Sequence, residues 1–145
     1  ASLLKDHSAW GTEACVASTM AADSKQPGIL EIYAEKVDSS YAEPTVQIVF
    51  ANVPEVFSAE VFTGALNKWT FTRASQTVDP TMQVVLARMD DRQDIINTLK
   101  RDNAVTVKLK DVKGKLVKTF QFSLSGSSKT IDAGIKRCDL KFEEL

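Results

Sequence analysis

The 145-residue sequence predicts a mainly β chain, an antiparallel β-sandwich or partly closed barrel with two short helices. Three observations carry this expectation. Apolar and polar residues alternate with a period of two along several short segments, turn residues bound those segments, and only two stretches show helical spacing. Composition agrees, with 43% hydrophobic and 26% charged residues, the balance of an ordinary globular chain. A chain of this length hides roughly 70% of its unfolded surface, enough for a core of its own. The longest apolar runs are a few residues, so no transmembrane segment is expected. A net charge of −1 and a pI near 5.9 argue against a nucleic-acid partner.

Taken in order, residues 1–9 are expected to form a flexible N-terminal arm and residues 10–145 a single β-rich domain. Residues 14–20, around Cys15, are a candidate strand. Residues 29–37 follow Pro27-Gly28 and are rich in β-branched and aromatic types, the pattern of a strand. Residues 45–50 form the next one, and the short connection makes the two antiparallel. Residues 61–66 and 69–73 read as a hairpin with Asn67-Lys68 at its tip. Residues 84–87 are a further strand. A helix is expected from Asp90, with Asp90 capping the free amides and Gln93 reaching back in a capping box. Ile95, Ile96 and Leu99 form its apolar stripe.

The clearest unit is the hairpin that follows. Val105, Val107 and Leu109 alternate with Thr106, Lys108 and Lys110, which buries one face and wets the other. Residues 111–115 turn the chain, and Gly114 supplies the positive φ such a turn requires. Phe120, Phe122 and Leu124 are the buried positions of the return strand. Lys118 breaks their parity and marks a bulge or the start of the strand. Beyond a turn at residues 125–127, Ile131, Ile135 and Cys138 fall on one face of a second short helix.

Residues 99–135 carry a family resemblance. A short helix leads into Thr106-Val107-Lys108-Leu109-Lys110-Asp111. A turn with Gly114-Lys115 follows, then Phe122-Ser123-Leu124-Ser125-Gly126 and a small-residue helix. Trp10 and Cys15 stand as an early Trp…Cys pair. This pattern resembles the invasion-associated locus B family of bacterial envelope proteins. Ser127 stands where that family carries an aromatic, and no cysteine lies between Cys15 and Cys138. The resemblance implies a periplasmic or exported β-rich protein, linked to host-cell invasion or envelope function and without an established enzymatic activity.

Chemistry is sparse. The only histidine is His7 and no CxxC occurs, so neither a zinc site nor a redox motif can be built, and no cofactor is expected. No Gly-x-Ser-x-Gly elbow is present. Asp90, Asp91 and Asp94 suggest a cation site, but acidic residues in a first helical turn are favoured by the helix dipole without any ligand. Gly126-Ser127-Ser128 offers either an anion-binding helix start or an ordinary N-cap. Trp10, Tyr41 and Trp69 suggest a sugar-stacking platform, against which core packing is the commoner use of aromatics.

Charge distribution is more informative. Residues 1–60 hold three bases and nine acids, whereas residues 100–118 hold seven bases and two acids. The basic segment places Lys108, Lys110, Lys113 and Lys115 on one hairpin. They are the candidate binding residues for an anionic envelope or host component. The competing reading is that strand lysines guard an exposed sheet edge against aggregation. The expected function is therefore a non-enzymatic periplasmic or exported binding or structural protein, with a small hydrolase of unrecognised site as the alternative. The start Ala1-Ser2-Leu3-Leu4-Lys5 fits a mature end left by signal-peptide removal, or an artificial start. No Asn-x-Ser/Thr sequon occurs, which fits a bacterial periplasm.

Cys15 and Cys138 lie near the two ends of the chain. Two buried thiols or one disulfide remain open, and an even count in an oxidising compartment favours the disulfide. Closing so long a loop adds up to roughly 4–5 kcal/mol in the chain-entropy model, less any native strain. Alkylation of free thiols followed by intact mass is expected to find none in the unreduced protein and two after reduction.

Overall fold

The computed structural model describes residues 2–7, 13–21, 28–37, 40–41, 44–64, 67–74, 81–124, 126, 129 and 131–132. Among these residues ten strands form one antiparallel sheet. They are β1 (Ser2–His7), β2 (Glu13–Met20), β3 (Gly28–Val37), β4 (Ser40–Tyr41), β5 (Thr45–Ala51), β6 (Ser58–Thr63), β7 (Asn67–Arg73), β8 (Met82–Leu86), β9 (Ala104–Lys110) and β10 (Leu116–Ser123). The spatial order is β1-β2-β3-β5-β8-β7-β6-β9-β10, with the short β4 on β3. From β2 to β10 the sheet curls into a nearly closed eight-stranded barrel, so the barrel alternative of the expected fold class is the observed one.

The alternation read from sequence sets the walls. In β5, Val46, Ile48 and Phe50 point inward between half-exposed neighbours. Val105, Val107 and Leu109 of β9 do the same, and Phe120 and Phe122 of β10 face them. Ala59 and Val61 of β6, Trp69 and Phe71 of β7, and Val85 of β8 complete the lining. The interior is thus filled with side chains, as small barrels are. Helix α1 (Arg92–Arg101) spans from β8 to β9 and adds Ile95, Ile96 and Leu99 to this core at one end of the barrel. Trp69 Nε1 donates to Asp94 Oδ2 at 3.2 Å, and the buried Arg92 donates through Nη1 to the Pro44 carbonyl at 3.0 Å. Both bonds fix the helix to strand ends.

Closure depends on a seam between β2 and β10. Ala21 bridges Phe122, and Thr19 Oγ1 donates to the Ser123 carbonyl at 3.1 Å. Beside the seam Gly28 meets the Phe120 ring. A Cβ at position 28 would sit 3.0 Å from Cε1 and Cζ and 3.1 Å from Cε2 of Phe120. The ring lies 6.3 Å from Phe50 and 6.1 Å from Phe122, centroid to centroid, in tilted pairs of the kind aromatic quadrupoles favour.

Several local expectations are corrected. Residues 2–7, expected within a flexible arm, form β1, whose register against β2 runs from Ser2 opposite Ser18 to His7 opposite Glu13. The β6–β7 tip falls earlier than Asn67-Lys68. Gly64, at φ +61°, takes the left-handed turn, and Asn67 already pairs with Thr63. The Asp90 capping box does not form. A 3-10 turn at Met89–Asp91 runs straight into α1, so the preceding Asp91 is itself helical and offers no side-chain cap. Gln93 instead donates to Asn97 Oδ1 at 3.3 Å. The bulge at Lys118 is present as a register shift between Leu116 and Lys118. Ile131 is buried as its spacing predicts, while the rest of the expected second helix, with Ile135 and Cys138, lies outside the described residues. Cys15 stands in β2 opposite Ala34, and its pairing with Cys138 likewise lies outside them.

If the seam is set by the missing Cβ, Gly28→Ala destabilises by about 1–3 kcal/mol through overpacking. Phe120→Ala removes the ring and is expected to cost about 3–5 kcal/mol. In the Phe120→Ala background the added penalty of Gly28→Ala should largely vanish. Urea denaturation of the four proteins measures that coupling.

Candidate functional site

The four candidate lysines sit at the end of the barrel away from α1, on β9 and on the turn that follows it. Lys108 and Lys110 occupy the outward positions of β9, as alternation requires. Their strand is not an edge. β9 pairs with β6 on one side and β10 on the other. Edge protection therefore does not account for these two residues.

Their neighbours do. Lys110 Nζ donates to Glu60 Oε1 of β6 at 2.6 Å, and Lys68 of β7 approaches the other oxygen at 3.4 Å. Glu60 is bracketed by two ammonium groups from the strands on either side. Lys108 lies over the Phe62 ring, 5.4 Å from its centroid, within cation–π range. So the outer face of β6, β7 and β9 is knitted by its own side chains, with three ammonium groups sharing the one Glu60 carboxylate and the Phe62 ring.

The turn differs. Asp111 Oδ1 accepts the backbone amides of Lys113 and Lys115, both at 2.9 Å. The Asp111 amide donates to the Lys115 carbonyl and the Gly114 amide to the Asp111 carbonyl, each at 3.0 Å. Gly114 takes φ +81°. This turn is closed by its own hydrogen bonds, with Asp111 spent on backbone. Lys113 and Lys115 are exposed, and among the described residues neither meets a carboxylate. Of the four lysines, these two are the ones that no side chain engages among the described residues.

Sequence reading missed Glu60, Lys68 and Phe62, which lie far along the chain and reach β9 only through the β6–β9 and β6–β7 registers. It also missed three exposed apolar side chains at the same end, Phe57, Val112 and Leu116. Parity with Phe120 and Phe122 would turn Leu116 inward; the register shift between Leu116 and Lys118 places it outward, opposite Lys110. The other sequence candidates separate. Asp94 is engaged by Trp69, and Asp90 faces Arg88 at 3.9 Å. Among the described residues no group of three His, Cys, Asp or Glu side chains is placed to hold a metal ion. Trp69 is core; Trp10, Ser127 and Ser128, and the side chain of Tyr41, lie outside what is described. No helix among the described residues is long and apolar enough to cross a membrane.

Two carboxylates on the outer wall are shifted in opposite directions. The hydrogen bond from Lys110, aided by Lys68, holds Glu60 below the usual carboxylate range. Burial pushes Glu31 up, against the Gln47 amide that donates to it. A lowered folded pKa means stability that is present at neutral pH and lost as pH falls through it. A raised carboxylate pKa means the reverse, a penalty that grows as pH rises. Glu60→Gln is therefore expected to lose about 0.2–1 kcal/mol at neutral pH, the range of a surface ion pair, and nothing in strong acid. Glu31→Gln should stabilise at neutral pH and be silent in strong acid. Urea midpoints at the two pH values check both signs.

No family model, curated protein or solved structure matches this chain.

Proposed function

We propose that this chain is a non-enzymatic binding protein, exported to the bacterial envelope or beyond, that meets an anionic surface through the β9–β10 hairpin. One observation carries the reading. Lys113 and Lys115 are exposed and, among the described residues, without carboxylate partners, on a turn whose only acid is committed to backbone amides. A rigid turn presents two ammonium groups at little entropic penalty, which is what preorganised recognition requires. The resemblance of residues 99–135 to invasion-associated envelope proteins supports the exported placement. The solid, apolar barrel interior supports binding at a surface over catalysis in a cleft.

The geometry divides the four lysines. Each unpaired lysine near an anionic surface gains about 1 kcal/mol, and the gain falls with salt. Lys113→Gln with Lys115→Gln is expected to abolish most retention on immobilised polyphosphate and most sedimentation with acidic vesicles. Lys108→Gln with Lys110→Gln should change binding less, and should cost stability through the loss of the Glu60 pair. Wild type should elute earlier as salt is raised. If wild type and the variant lacking all four lysines behave alike on both supports, the reading fails.

A further inference from the structure

Among the described residues four large apolar side chains are strongly exposed, and three of them gather around one turn. Phe57 is 54% exposed, Val112 75% and Leu116 51%; the fourth, Met89, lies beside α1. The three are tied together through Lys110. The Phe57 amide donates to the Lys110 carbonyl at 2.8 Å, Leu116 is the register partner of Lys110 on β10, and Val112 stands in the turn between.

These positions are fixed. The Phe57 carbonyl accepts from the Arg73 amide at 3.1 Å. The Gln83 side chain accepts the Val56 amide at 2.8 Å and donates to the Val53 and Pro54 carbonyls at 3.1 and 3.2 Å, bracing the connection that leads to Phe57. Asp111 closes the other side. The nearby Glu55 is paired with Arg73 at 2.5 Å, so it does not offset the tip lysines.

A soluble polyanion would take up the ammonium groups and leave Phe57, Val112 and Leu116 in water. A bilayer surface takes up both kinds of group, because acyl chains begin a few ångströms beneath the phosphates. We infer that the hairpin tip is a membrane-interface anchor. Phe57, Val112 and Leu116 enter the headgroup–acyl boundary of an anionic leaflet, and Lys113 and Lys115 pair with its lipid phosphates. This rests on the anionic-surface reading above and names its partner.

Three proteins test it: wild type, a triple variant (F57S, V112S, L116S) and a lysine pair variant (K113Q, K115Q). Each is sedimented with vesicles of phosphatidylglycerol and phosphatidylcholine and is run separately on immobilised polyphosphate. Far-UV circular dichroism confirms folding, which exposed substitutions should preserve. The expected result is that the triple variant loses about tenfold or more in vesicle partitioning, given the apolar area each residue contributes, and keeps its polyphosphate retention. The lysine variant should lose both. A tryptophan placed by V112W should shift to the blue on vesicles and be quenched by lipids brominated in the acyl chain. Equal partitioning of the triple variant and wild type overturns the anchor and leaves the anionic-surface reading standing. So does polyphosphate retention by wild type without vesicle binding, the result expected if the apolar tip serves a protein partner. Loss of neither activity in the lysine variant, or no binding to either support by wild type, overturns both.

Discussion

Closure of the sheet at Gly28 and Phe120 is the constraint on which the arrangement of the rest depends. An antiparallel sheet left open exposes two rows of backbone donors and acceptors, and curling it into a barrel removes them. Here the last barrel strand comes onto the first beside Gly28, where no Cβ stands between the β3 backbone and the Phe120 ring. That contact anchors Phe120 against Phe50 and Phe122 and so aligns β10 with β9. The seam is also offset. Ala21, just beyond β2, meets Phe122 near the end of β10, so the earlier residues of β10 run past the end of β2. The offset carries the β9–β10 turn beyond the seam and leaves its side chains free of that strand.

How much of this was legible in the sequence follows from the range of each interaction. The inward set of β9 and β10 is a local property of alternation, and so is the bulge at Lys118, which the parity of Phe120 and Phe122 reveals. Gly114 is legible because one turn conformation requires it. The pairing of β5 with β8 and of β6 with β9 is not local, since nothing in Val46-Gln47-Ile48 names its neighbour. The start of α1 was misjudged for a different reason. Asp90 and Gln93 have the right spacing for a cap, but the chain enters through a 3-10 turn and Arg92 is drawn inward to Pro44. β1 was missed because Leu3 and Leu4 are too few to show a period.

The site divides along the same line. Its lysines are visible as residues, yet their roles are set by register. Lys110 and Lys108 resemble Lys113 and Lys115 in sequence, one alternation apart. In the fold the first two meet Glu60 and Phe62 across β6, and the second two meet only the Asp111 turn. A positive stretch of chain becomes a wall whose lysines are engaged by Glu60 and Phe62, and a tip whose lysines are not engaged by a side chain among the described residues. The depressed Glu60 carboxyl is the electrostatic mark of that wall, since its ammonium neighbours favour the ionised form.

This separation bears on what lysines at a turn are for. Solubility alone is sufficient reason for a charged turn, and edge protection is a sufficient reason for charges on a terminal strand. Neither fits the whole arrangement. β9 is an interior strand, so Lys108 and Lys110 guard no edge, and their partners are polar and aromatic side chains of the same wall. At the tip, a turn selected only for solubility would not hold Val112 and Leu116 in water on either side of its lysines, nor brace Phe57 beside them with two backbone hydrogen bonds. Scattered exposed apolar residues are ordinary on a protein surface. Among the described residues, three of the four strongly exposed ones converge on a single turn and are not scattered. Apolar groups and unpaired cations kept side by side by a rigid backbone match a surface that is itself layered, anionic outside and hydrocarbon beneath.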